Sequence, residues 1–155
     1  MRFVMARQRS VAVAFACAMG WASQAHAQFP AGDWVRTDDQ GKGMVMTTEV
    51  CCKGGARLTY RMAAQPGQTP LTLTVESPMD GTEAPVLLAG KPSGQTMAIK
   101  RIDDRHYTAT VKMNGQPLST STGTVSADGK TITIESVTQQ QGGQPVKTTE
   151  TWVKK

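Results

Sequence analysis

The chain is predicted to fold as an all-β protein, because hydrophobic residues alternate with polar ones in several segments and turn residues separate those segments. The alternation is clearest in four runs, at 56–62, 71–76, 106–113 and 131–135. A period of two residues is typical of strands with one buried face. No segment after residue 27 has a convincing helical period, so we expect no helix in the folded domain.

Turn residues set the number of strands and their connections. Tight hairpin turns, which need positive φ, are predicted at Asp80-Gly81, Asn114-Gly115, Asp128-Gly129 and Gly142-Gly143. Looser breaks are predicted at 40–43, 53–55, 65–68 and 91–94. This spacing predicts roughly eight to ten antiparallel strands in an up-and-down meander. We expect a closed or partly open barrel, with a β-sandwich as the alternative, since both avoid exposed sheet edges.

The first 27 residues have the three parts of a secretory signal peptide. Basic residues precede an apolar run at 11–18, and Ala25-His26-Ala27 supplies small residues at both recognition positions. We expect a signal-peptide helix, cleavage near Ala27, and one domain over 28–155 that is periplasmic or secreted. Lipid attachment at Cys17 is the alternative, although Ala14-Phe15-Ala16 lacks the leucine of a lipobox.

Charge argues against a nucleic-acid partner. Cleavage would remove Arg2, Arg7 and Arg9 and no acid, so the 17 basic residues would fall to 14 against 12 acidic ones, a net charge of +2. The remaining charges are scattered rather than clustered on one face. No later apolar run approaches the roughly 20 residues that span a bilayer, so we expect no transmembrane segment in the mature chain.

Several segments resemble small exported bacterial proteins described as lipocalin-like, most clearly over 95–155. The segments that carry this resemblance are 99–103, 125–131, 143–146 and 152–154. The spacing of strands and hairpin turns in that half also resembles the last strands of intracellular fatty-acid-binding proteins. Gly32-Asp33-Trp34 is similar to the Gly-x-Trp motif at the start of lipocalin barrels.

The resemblance implies a barrel whose first and last strands lie side by side, with Trp34 and Trp152 packed near one end as a floor. Both tryptophans would equally suit the core of a sandwich. A barrel would enclose a pocket lined by alternate residues, mainly Thr, Ser, Met and short aliphatics. That lining suits a modest amphipathic ligand better than a long lipid.

The sequence predicts no catalytic site. His106 is the only histidine after residue 27, with Asp103 and Asp104 just before it, and it falls on the polar phase of its strand. Serines such as Ser121 and Ser126 have no nucleophile motif around them, and there is no zinc or phosphate-loop signature. Acidic residues cluster in predicted turns rather than as converging pairs. We expect a surface histidine, no cofactor and no enzymatic activity.

The unusual chemical feature is the adjacent pair Cys51-Cys52. In an oxidising compartment we expect these cysteines to form a vicinal disulfide, either as a structural clasp or as a redox site. Met44 and Met46 share one face of the preceding strand, and soft sulfur ligands favour Cu(I). A more specific hypothesis is therefore a copper site at Met44, Met46, Cys51 and Cys52. Lys53 would lower the pKa of a neighbouring thiol if it lay close.

These features leave three functional hypotheses. The leading one is a non-enzymatic exported barrel that binds a small amphipathic molecule or serves as an accessory protein of the cell envelope. The second is a soft-metal or thiol-redox protein that uses Cys51 and Cys52. The third is an interaction module whose exposed Thr-rich strands bind another envelope protein.

Overall fold

A computed structural model describes residues 29–62 and 66–155, and in this part the chain forms one closed antiparallel β-barrel. The ten strands follow one another around the barrel in chain order, so the predicted all-β meander and its closure are confirmed, and the sandwich alternative is wrong. The expected signal-peptide helix and its cleavage site lie outside the described residues. The strands are β1 (Gly32–Arg36), β2 (Val45–Cys51), β3 (Gly55–Arg61), β4 (Thr72–Ser77), β5 (Asp80–Leu88), β6 (Lys91–Arg101), β7 (His106–Met113), β8 (Gln116–Val125), β9 (Thr131–Thr138) and β10 (Val146–Lys154).

The barrel closes where the first strand pairs with the last. Strand β1 is hydrogen-bonded to both β2 and β10, with Trp34 opposite Lys154 and Arg36 opposite Trp152. The first and last strands therefore lie side by side, which leaves no free sheet edge. A single 3-10 turn, Cys52–Gly54, joins β2 to β3.

Most predicted turns form, but two are displaced. Asn114 and Gly115 have φ of 49° and 79°, as a tight hairpin turn requires. Gly81, by contrast, lies inside β5 beside a register irregularity, and the preceding turn has Met79 at a φ of 62°. The break predicted at 91–94 is also wrong, because the hairpin turns at Ala89-Gly90 and β6 begins at Lys91. A glycine at positive φ suits a bulge as well as a turn, so the residue type alone did not distinguish them.

The two ends of the barrel differ. The terminal end carries both ends of the described chain, together with the β2–β3, β4–β5, β6–β7 and β8–β9 connections. The hairpin end carries the other five connections. Inward side chains are packed at the terminal end, where Trp34, Thr48 and Ser77 are fully buried. Phe29 also packs there, edge-on to Tyr107 with 4.8 Å between ring centroids.

Candidate functional site

The barrel is not filled toward its hairpin end. A cavity of about 320 Å³ runs through the interior and is lined by the inward-facing residues of the strands. Side chains such as Leu73, Met97 and Val111 point inward yet remain only half-buried. Apolar side chains that face an interior without being covered mark a lumen rather than a packed core. The volume falls at the lower end of the range for small-molecule sites, roughly 300 to 1,000 Å³.

One wall of the lumen is apolar. It is formed by strands β2 to β6, whose alternation places thioether and aliphatic side chains on the inner face. The residues that line the cavity there include Met44, Met46, Leu58, Leu73 and Met97. Methionine is flexible and polarisable, so this wall can adapt to an apolar ligand of irregular shape.

The opposite wall is polar. Six inward positions on the hairpin-end half of three adjacent strands carry hydroxyl or carboxylate groups: Ser119, Ser121, Ser136, Thr138, Thr148 and Glu150. The Ser121 and Ser136 hydroxyls lie 2.8 Å apart across β8 and β9. Because these side chains are short, they leave the volume that larger apolar residues would have occupied. The lumen therefore has one face for apolar groups and one for hydrogen bonds.

A cluster of three charges lies at the hairpin end of the polar wall. The Arg36 Nε–H donates to Asp38 Oδ2 at 2.7 Å, and a second guanidinium nitrogen lies 3.4 Å from Glu150 Oε1. The hydrogen bond to Asp38 raises the pKa of Arg36, and the same bond lowers the pKa of Asp38 to about 2. Arg36 and Glu150 were not singled out by the sequence, although both fall on the inward phase of strands that carry the buried tryptophans.

The two tryptophans have different positions. Trp34 is fully buried toward the terminal end, where its indole N–H donates to Thr48 Oγ1 at 3.1 Å. Trp152 lines the lumen, donates its indole N–H to Glu150 Oε2 at 3.1 Å, and meets Tyr60 edge-on. Burial, followed by the charge of Glu150, raises the pKa of the Tyr60 phenol, so this phenol stays protonated. Both tryptophans are almost completely buried, Trp34 at 0 % and Trp152 at 1 % exposed, and their role as a barrel floor stays a prediction.

One polar atom at the bottom of the lumen has no partner. Tyr107 is 4 % exposed and lines the cavity, and within the described residues its buried hydroxyl makes no hydrogen bond. Burial also raises its pKa, so the group stays neutral. A buried hydroxyl normally finds a partner in protein or water. An occupant of the lumen or a water molecule could supply one.

Cys51 and Cys52 form a disulfide in the turn between β2 and β3, at the terminal end of the barrel. Met44 and Met46 line the lumen, as their shared face predicts. At about 3.3 Å per strand residue, Met46 lies roughly 16 Å from Cys51 along β2. The structure therefore does not bring the methionines to the cysteine pair. Among residues 29–62 and 66–155, no three His, Cys, Asp or Glu side chains are grouped to hold a metal ion.

His106 lies on the outer face of β7, where its side chain is 41 % exposed. Its Nδ1 lies 2.8 Å from both carboxylate oxygens of Asp103, while Asp104 pairs with Arg101. Ser126 donates to Asp128 in the turn before β9, and Ser121 faces the lumen. The side chains that sequence reasoning considered for acid–base chemistry are thus dispersed over the outer surface and the interior.

The chain matches no protein-family model, and searches of curated proteins and of solved structures find no significant similarity. The resemblance to lipocalin-like proteins therefore stays a prediction from the sequence, most clearly over 95–155. In the described part of the chain, no helix is both long and apolar enough to cross a membrane.

Proposed function

We propose that this protein is an exported, non-enzymatic β-barrel that binds a small amphipathic molecule in its lumen. The observation that carries the proposal is the unfilled cavity of about 320 Å³ with an apolar wall facing a hydroxyl-rich wall. Leaving apolar side chains half-buried forfeits stabilisation of about 25 cal/mol for each Å² left uncovered. A ligand that covers this surface gains affinity from that free energy after the cost of association is subtracted.

The arrangement of potential acid–base groups supports a binding role over catalysis. His106 and Asp103 are paired on the outer surface, and the lumen carboxylate Glu150 is hydrogen-bonded to Trp152 and lies beside Arg36. A nucleophile needs a base within hydrogen-bonding reach. Within the described residues, the hydrogen bonds of the His106 ring go to Asp103 alone.

Export is proposed from the sequence of residues 1–27. We expect the mature protein to begin at Gln28 and to be recovered from the periplasm or the medium. The mass of the purified protein tests the cleavage site directly. Native mass spectrometry of the same sample tests occupancy, because an organic adduct that is released on denaturation would identify the ligand class.

Lumen binding can be tested with N-phenyl-1-naphthylamine, a neutral dye that fluoresces in apolar surroundings. Ala109 lines the lumen on β7, and its neighbour Thr110 faces outward on the same strand. We expect Ala109→Phe to occupy the cavity and weaken dye binding at least tenfold, whereas Thr110→Phe leaves it unchanged. Equal binding by both variants, or no dye binding by the parent protein, would contradict the proposal.

The formed disulfide supports a second candidate, a thiol-redox function at the β2–β3 turn. Cys52 is exposed there, so the bond is accessible to a dithiol reductant. A copper function would need the reduced pair, because thiolates rather than disulfide sulfurs are strong ligands. Comparing the parent with a Cys51→Ser/Cys52→Ser variant tests both roles, and unchanged copper affinity, thiol exchange and thermal stability would exclude them.

A further inference from the structure

One guanidinium and two carboxylates cluster at the hairpin end of the lumen. Arg36 and Glu150 line the cavity, and Asp38 lies beside Arg36 at the hairpin end, so two carboxylates face one guanidinium. The other titratable side chains that line the cavity are the phenols Tyr60 and Tyr107, which are neutral. The charges that line the cavity therefore balance, and the second carboxylate, Asp38, lies outside the lining but takes the closer contact with Arg36.

The guanidinium group of Arg36 already contacts neighbouring side chains. Its Nε–H donates to Asp38 at 2.7 Å, and its NH1 group lies 3.9 Å from the thioether sulfur of Met44. Asp38 is fixed in turn, because it accepts the backbone N–H groups of Gln40 and Thr151, each at 3.2 Å. An incoming anion would have to compete with both carboxylates for one guanidinium, and each carboxylate would repel it.

Glu150 is more loosely held. Its Oε1 lies 3.4 Å from Arg36, its Oε2 accepts one hydrogen bond from Trp152, and the side chain is 26 % exposed. A carboxylate has about four acceptor positions, so capacity is left over. The hydroxyl of Thr148 lies on the same face of β10, and Ser136 is opposite Thr148 on β9. These three side chains offer a cluster of acceptors beside the negative charge.

We propose that the lumen selects small amphiphiles that carry a protonated amine, with the ammonium group at Glu150 and the apolar part against the methionine-rich wall. An ammonium group has three donors and no acceptor, which matches a carboxylate flanked by two hydroxyls. This inference rests on the proposed lumen-binding function and specifies its ligand class.

The test uses three eight-carbon probes with different head groups: octylammonium, octanol and octanoate. Each probe is titrated into the complex of the parent protein with N-phenyl-1-naphthylamine at neutral pH, below its micellar concentration or solubility limit. Hydrogen bonds to charged groups contribute enough to change affinity by about tenfold or more. We expect octylammonium to displace the dye at least tenfold more effectively than octanol, and octanoate to be the weakest of the three.

Substitutions then test which residues cause the preference for octylammonium. Glu150→Gln keeps a carbonyl oxygen for Trp152 and removes the charge, so the ratio of octylammonium to octanol affinity should fall to near one. Glu135→Gln is the matched control, because Glu135 is exposed on the outer face of the neighbouring strand β9. Thr148→Val, nearly isosteric, should reduce the ratio about threefold and provides a second test if Glu150→Gln does not fold.

The outcomes separate this inference from the function on which it rests. If the dye binds but octanol or octanoate displaces it as well as octylammonium does, the cation preference is overturned and lumen binding stands. If Glu150→Gln leaves the ratio of octylammonium to octanol affinity unchanged, the assignment to Glu150 is also overturned. If the parent protein does not bind the dye, the lumen function fails and the preference fails with it.

Discussion

Thr48→Val removes one buried oxygen that links the N-terminal segment to the barrel wall. Thr48 is 2 % exposed and lies on the inner face of β2. Its hydroxyl accepts the indole N–H of Trp34 at 3.1 Å and donates to the carbonyl oxygen of Pro30 at 2.7 Å. Valine has nearly the same shape as threonine, so the substitution removes the hydrogen bonds without opening a cavity.

The expected loss follows from the two partners left behind. Trp34 is fully buried, so its indole N–H would have no acceptor, and an unsatisfied buried donor costs about 1–3 kcal/mol. The Pro30 carbonyl would lose its closest donor, with a smaller cost because this segment can move toward water. Together these effects predict that Thr48→Val lowers the free energy of unfolding by about 3 kcal/mol. Against a total of about 5–15 kcal/mol, that is a large loss.

Urea unfolding followed by far-ultraviolet circular dichroism measures this loss without depending on the altered Trp34 environment. The matched control is Thr47→Val, whose outward hydroxyl donates to Asp33 at 2.7 Å near solvent. We expect that control to change stability by no more than about 0.5 kcal/mol. The reasoning is refuted if Thr48→Val and Thr47→Val unfold at the same urea concentration with the same denaturant slope.

Two further predictions concern the charge cluster and the disulfide. Because Asp38 has a folded-state pKa of about 2, below its unfolded value, its stabilisation is present above about pH 4 and is lost as the pH falls toward 2. The unfolding free energy of Asp38→Asn should therefore change less between pH 5 and pH 2 than that of the parent; equal slopes would contradict this. Alkylation under denaturing, non-reducing conditions should leave Cys51 and Cys52 unlabelled, and prior reduction should expose both to labelling; peptide mass spectrometry distinguishes these states.

The barrel could be predicted from the sequence because strand period and turn residues are local signals. Alternating runs such as 56–62 and 106–113 became β3 and β7, and the Asn114-Gly115 turn joined β7 to β8 as expected. Ten strands and a closed sheet fall within the predicted range and architecture. The displaced turns at 78–81 and 89–90 have a local cause as well, since Gly81 and Gly94 have positive φ at register irregularities inside β5 and β6 rather than in turns.

The lumen chemistry could not be predicted in the same way, because it depends on which strands become neighbours. Arg36 is near the start of the described chain and Glu150 near its end, and only the β1–β10 pairing places them 3.4 Å apart. The local pattern did contain a signal, since both charges occupy the inward phase of strands that also carry Trp34 and Trp152. A charged side chain among buried ones is costly unless it is paired with an opposite charge or contacts a ligand. Arg36 meets that condition through Asp38 and Glu150, and the remaining acceptor positions of Glu150 are where the proposed ammonium group would bind.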